Sequence, residues 1–310
     1  MRDKIIFIAL LVTVPFALTS LWVHAGSHRQ GMSVSIDDDR GPVTSCDQLR
    51  VTYDGREAVT DEQDFTLTKA QVAHLDIRPP RNGGAYVQGG DREDYLIKAC
   101  KAVRGDRPGT SPERDLKAIH VSVDGNRVTA SGPEEENDWI VYFLIQAPRN
   151  SAPLDLEAHN GPLGLRDVNG QVEVRTENGP ISLRDCPGHI RAHAQNGPID
   201  FTGSAGDLRL EAQNGPIEVR LTGKEWHGAG LEASTENGPL SLRIPDDYAS
   251  GVHVESRGYS PFTCEARACE SARGTWGREH HGISLGNKEA VVRMSTVNGP
   301  VSIESARDRD

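Results

Sequence analysis

From Asn160 onward, polar and apolar positions fall into rows of nine residues. The rows read NGPLGLRDV, NGQVEVRTE, NGPISLRDC, PGHIRAHAQ, NGPIDFTGS, AGDLRLEAQ and NGPIEVRLT, ending at Thr222. Two separate rows follow, NGPLSLRIP from Asn237 and NGPVSIESA from Asn298. The fourth position is always aliphatic, from Leu163 and Val172 to Leu240 and Val301. The sixth is always apolar, from Leu165 and Val174 to Leu242 and Ile303. The fifth, between them, is mostly polar or Gly. Apolar residues two apart with a polar residue between them predict a strand with one buried face.

Glycine fills the second position of every row. The spacing predicts corners at Asn160, Gly161, Asn178, Gly179, Asn196, Gly197, Asn214, Gly215, Asn237, Gly238, Asn298 and Gly299. Gly is expected there because a turn calls for positive φ. Asn is expected beside it because it tolerates the left-handed region. Pro after Gly lacks an N–H and belongs at a corner or a strand start. Asn-Gly is also a hairpin signal, so an antiparallel sandwich is the competing fold. A fixed register after every turn favours stacking instead. The full Asn-Gly-Pro signal returns every 18 residues, at Asn160, Asn178, Asn196 and Asn214. We therefore expect an all-β parallel β-solenoid of two-row coils.

The remaining chain is less regular. Residues 46–150 carry looser strand patterns, read as irregular N-terminal rungs of the same domain, with a hairpin turn at Asp124-Gly125. The regular repeat spans 151–243, a cysteine-bearing insertion or cap 244–296, and a last rung with tail 297–310. Residues 26–45 read as a solvated, disordered linker. Residues 1–25 have a charged start and an apolar run ending Val23-His24-Ala25, the pattern of a secretory signal peptide. An uncleaved anchor is the alternative, and no stable membrane span is expected after cleavage.

Composition narrows the partners. The 310 residues carry 34 Lys+Arg against 45 Asp+Glu, a net charge of −11. That balance argues against nucleic-acid binding. Export makes disulfides the default for the cysteines. Cys264 with Cys269 and Cys46 with Cys100 are the candidate pairs, leaving Cys186 unpaired.

No metal or cofactor is expected. Column eight lacks the regular Asp of calcium rolls, and Cys264/Cys269 lack a second zinc knuckle. His189 and His193 share one strand and stand too far apart for a common ion. Asp200, Glu218 and Glu173 with Arg191 and Arg209 are the residues an enzyme would use, but they read better as an ion-paired sheet face. Trp276, His280 and His281 are the candidate ligand contacts in the insertion.

The succession IQAPRNSAPLDLEAHNGPLGLRDVNGQVEVRTENGPISL, RIPDDY and the ending GISLGNKEAVVRMSTVNGPVSIES resemble the bacterial putative-adhesin domain family over about residues 70–306. The resemblance implies an exported β-solenoid and implies no catalytic residues. The frequent Pro after Asn-Gly and the cysteine-bearing insertion depart from the family pattern. The expected role is a non-enzymatic cell-envelope or surface protein, secreted, periplasmic or surface-bound. It would be an adhesin-like binding or structural scaffold whose partner is an envelope protein or a polysaccharide. The competing readings are a carbohydrate-active enzyme on a parallel β-helix and an envelope signalling or assembly partner.

Overall fold

The computed structural model describes residues 32–36, 41–105, 109, 111–134, 137–258, 260–276, 281–286 and 288–306. The expected signal segment lies outside the described residues. Strands are the dominant element of the described chain, in a three-stranded, an eleven-stranded and a twelve-stranded sheet. Among the described residues one α-helix is present, Pro112–Ala118. Among the described residues, no helix is long and apolar enough to cross a membrane.

Through the repeat, successive rows alternate between the two large sheets. Rows beginning Asn-Gly-Pro enter the eleven-strand sheet, where Leu163 pairs with Ile181, Ile181 with Ile199 and Ile199 with Ile217, all parallel. The other rows enter the twelve-strand sheet, where Leu154 pairs with Val172, Val172 with Ile190 and Ile190 with Leu208, also parallel. These partners are 18 residues apart, so one circuit consumes two rows. Both aliphatic columns point inward, and Ile181, Ile190, Ile199 and Ile217 are fully buried. Each such side chain contributes about 1.5–3 kcal/mol by leaving water.

The corners work by a different mechanism from the one expected. Of the row glycines, Gly206 alone has positive φ, and none of the row asparagines has it. Glycine is required because backbones of neighbouring circuits nearly touch. A Cβ on Gly197 would lie 1.9 Å from the carbonyl oxygen of Gly179, and one on Gly179 would lie 2.0 Å from that of Gly161. Gly161, Gly215, Gly238 and Gly299 meet the same obstruction. The asparagines serve as a side-chain ladder. Asn178 Nδ2 donates to Asn160 Oδ1 at 3.0 Å, Asn196 to Asn178 at 3.0 Å and Asn214 to Asn196 at 3.1 Å. The prolines stand where expected, just ahead of the strands. Their carbonyls accept the first N–H of the preceding circuit, as in Ile181 N to Pro198 O at 2.9 Å. The left-handed residues of the opposite corner are Asp167 and Asp185.

The N-terminal portion joins both sheets and continues the parallel stack for a short distance before turning antiparallel. Ala85–Gly90 and Leu75–Arg78 pair parallel with repeat strands. Asp94–Val103 then runs antiparallel to both of its neighbours, Val59–Thr68 and Trp139–Pro148. Apart from Gln146, Trp139–Pro148 is apolar, and both of its faces are covered. Val141, Phe143 and Ile145 enter the main core, while Tyr142 and Leu144 pack under Val43 and Leu49. The cover is the three-stranded sheet, whose first strand is Met32–Ile36, paired antiparallel with Leu49–Tyr53. This corrects the linker reading of 26–45 for residues 32–36. Cys46–Cys100 ties the cover to the body, as expected. The turn at Asp124-Gly125 joins antiparallel His120–Asp124 and Arg127–Ser131, also as expected.

The C-terminal portion departs most from sequence order. Ala290–Asn298 lies between His227–Asn237 and Gly251–Ser256, parallel to both. Val301–Ser305 likewise lies between Leu240–Ile244 and Phe262–Cys264. The expected last rung is therefore spatially the penultimate circuit. The outermost circuit, Gly251–Cys264, belongs to the segment read as an insertion. Beyond it, Cys264–Cys269 closes a short loop, and Arg273–Trp276 with His281–Leu285 forms the antiparallel end of the twelve-strand sheet.

Candidate functional site

The two large sheets present different outer faces, because the eleven-strand sheet is partly covered by the N-terminal three-stranded sheet. The enzyme candidates are divided between them. Asp200 and Glu218 are register partners on the eleven-strand sheet, where Arg243 Nη1 holds Glu218 Oε1 at 2.6 Å. Glu173, Arg191 and Arg209 lie on the twelve-strand sheet. The structure therefore does not assemble these five residues into one site.

The twelve-strand face is built by strict alternation. Inward residues fill the core, so the residues between them form outward columns across the strands. One column runs Asp155, Glu173, Arg191, Arg209, Glu232, Arg293 and His253. A second runs Glu157, Arg175, His193, Glu211, Ser234, Ser295 and Glu255. Neighbouring members of a column are separated by the strand spacing, about 4.8 Å.

Most of these charges are matched locally. Arg175 bonds Glu173 on its own strand. Arg209 Nε donates to Glu211 Oε1 at 2.6 Å, and that carboxylate raises the Arg209 pKa. His189 Nδ1 lies 2.7 Å from Asp207 Oδ2, and His193 Nδ1 4.0 Å from Glu211 Oε2. The two histidines thus engage separate carboxylates on the next strand. His159–Glu177 and His74–Asp155 repeat the pairing at 2.7 and 3.1 Å. Among the described residues, no group of three or more His, Cys, Asp or Glu could hold a metal ion. Among the same residues, the Arg191 side chain makes no ion pair or hydrogen bond.

Two shallow depressions lie on this face. One, of about 510 Å³, is lined by His189, Arg191, Asp207, Arg209, Glu232, Glu289 and Arg293, together with Ala229, Gly230, Ala290 and Val291. The other, of about 450 Å³, includes His193, Glu211, Gln213, Glu236 and Arg257. A register shift between Ala205 and Asp207, together with Gly228 and Gly230 at φ 122° and 146°, shapes the first.

The remaining candidates belong to the end of the stack. Trp276 is half-buried, stacked on Phe262 at 4.3 Å, and its Nε1 donates to Ser260 O at 2.9 Å. His281 meets the Trp276 ring edge-on at 6.1 Å. His280 lies outside the described residues. Cys186 is buried in a corner, and burial pushes its thiol up to about 12.

Sequence reasoning missed two features. Asn82–Gly90, NGGAYVQGG, is itself a nine-residue row. Its Asn82 Oδ1 accepts from Asn160 Nδ2 at 2.8 Å and begins the ladder. The Asn-Gly signal was present there, but a second Gly stands where Pro is usual. Arg293 was also missed, because its place beside Glu232 follows from the intercalated strand, which no local pattern encodes.

No family model matches the chain, and no curated protein matches it. Among solved structures, the chain is similar to a putative adhesin from Bacteroides fragilis NCTC 9343, at 12% identity and a TM-score of 0.40, over 80% of this chain and 97% of that one. It is similar to a putative cell adhesion protein from Clostridium sporogenes ATCC 15579, at 11% identity and a TM-score of 0.33, over 80% of this chain and all of that one. A putative lipid binding protein from Parabacteroides distasonis ATCC 8503 is similar at 9% identity and a TM-score of 0.30, over 80% and 97%.

Proposed function

We propose that this chain is an exported, non-enzymatic cell-envelope or surface protein, a parallel β-solenoid of nine-residue rows that works as an adhesin-like binding scaffold. The observation that carries the reading is the twelve-strand face, where in-register columns of charged side chains are fixed by the sheet beneath them. A surface of this kind is pre-organised, so a partner binds without the protein paying to order it. Its mechanism is passive: evenly spaced donors and acceptors meet a repeating or extended partner. Two disulfides support an oxidising compartment. The partner class is an envelope polysaccharide or protein.

The test is a glycan-array and envelope pull-down screen with the full chain, set against a variant carrying Arg175→Glu, Arg209→Glu and Glu232→Arg. Capture by the parent and loss of capture by the variant supports the reading. Equal capture by both places binding away from this face and overturns it.

A further inference from the structure

We propose that the depression around Arg191 is a subsite for a carboxylate-bearing polysaccharide, holding a uronate carboxylate between Arg191 and Arg209. This rests on the binding-face reading above and adds a ligand class to it.

Arg191 and Arg209 are direct register partners on adjacent parallel strands. Like charges so placed destabilise a sheet. Arg209 is compensated by Glu211. Glu173, the other neighbour of Arg191, is engaged by Arg175. Arg191 is left as an exposed guanidinium without a partner among the described residues, and nothing in the fold uses its charge. A guanidinium has the planar, forked donor geometry that recognises a carboxylate.

The rest of the lining selects among anions. Asp207, Glu232 and Glu289 line the same depression as Arg191, Arg209 and Arg293. Carboxylates accept hydrogen bonds from hydroxyl groups, and guanidiniums hold an acid group. A sugar acid offers both at sugar-ring spacing. A densely anionic surface, such as a phospholipid membrane, would meet those three acids and a chain of net charge −11. The volume of about 510 Å³ falls within the size range of small-ligand sites. The second depression lies on the same face, and His189 and His193, one beside each, are about 13 Å apart along a single strand. An oligosaccharide can therefore cross both.

The experiment is calorimetric titration of the full chain with hexagalacturonate, with its fully methyl-esterified, uncharged counterpart, and with phosphatidylglycerol vesicles. The variants are Arg191→Gln, Arg209→Gln and the control Arg243→Gln on the other sheet, each checked for an unchanged circular dichroism spectrum. The expected result is saturable binding of hexagalacturonate, weakened about tenfold by either groove substitution and by esterification, and unchanged in the control. Hexagalacturonate binding that survives both groove substitutions overturns the subsite. So does binding of vesicles alone, or no binding of hexagalacturonate. If the glycan and envelope screen still finds a partner on the twelve-strand face, the broader reading survives that failure. If that screen finds none there, both fall.

Discussion

The side-chain amide of Asn298 donates to Asn237 Oδ1 at 3.0 Å, although 61 residues separate them in the chain. The same ladder joins Asn196 to Asn178 with a separation of 18. The larger gap marks the place where the last circuit enters the stack between two circuits laid down before it. Repeat stacks are stabilised by nearest-neighbour interfaces, so an interposed circuit holds the outer one in place. During refolding, strand Gly251–Ser256 should gain amide protection no earlier than Ala290–Asn298. Pulse-labelling hydrogen exchange checks the order, and early protection of 251–256 contradicts it.

Gly197 and Gly90 separate a glycine that close approach requires from one that it does not. A Cβ at Gly197 would meet the Gly179 carbonyl oxygen at 1.9 Å, whereas at Gly90 nothing lies within 4 Å. Gly197→Ala should cost at least about 2 kcal/mol, through forced separation of two circuits. Gly90→Ala should change stability by less than about 0.5 kcal/mol. Urea denaturation of the two variants gives the comparison, and equal midpoints would remove the close-approach explanation.

The two disulfides close loops of very different length. Cys46–Cys100 spans 54 residues and Cys264–Cys269 spans 5. On the chain-entropy model the long loop contributes about 4 kcal/mol and the short one about 2. The Cys46→Ser/Cys100→Ser double variant should therefore melt below Cys264→Ser/Cys269→Ser. The opposite order in calorimetry would argue that the N-terminal sheet adds little to the body.

Cys186 gives a pH-dependent prediction. Burial raises its folded thiol to about 12, while an unfolded thiol titrates near ~8.5. Between those values the unfolded state has lost a proton that the native state keeps. The stability from this group is complete below the ordinary thiol range and is lost as pH rises through it toward 12. At pH 8 Ellman's reagent should find no thiol in the native protein and the Cys186 thiol after unreduced unfolding. A native thiol that reacts at once would show the corner to be open.

The sequence made the stack legible because the sheets demand it. Leu163, Ile181, Ile199 and Ile217 must share one face, and a period-two pattern states that directly. The Asn and Gly columns were equally visible, but their cause was not. Identity alone does not distinguish a glycine needed for positive φ from one needed because Gly179 O lies beneath it. Strand order at the C-terminal end was illegible for a related reason. Val292 pairs with both Leu231 and Val252, and all three carry the same local pattern. Trp139–Pro148 hid its partner because both faces are apolar. Of the binding face, Glu173, Arg191 and Arg209 were read in the right column, while Arg293 entered only through the intercalated strand.

The most direct test of the passive binding face is to incubate the full chain with the polysaccharide it captures and to weigh both afterwards. Mass spectrometry of the recovered glycan, for parent, Asp200→Ala and the three-residue variant of the twelve-strand face, reads capture and cleavage together. The account predicts glycan of unchanged length, captured by parent and Asp200→Ala alike and lost with the face variant. Shortened glycan whose production Asp200→Ala abolishes would contradict it.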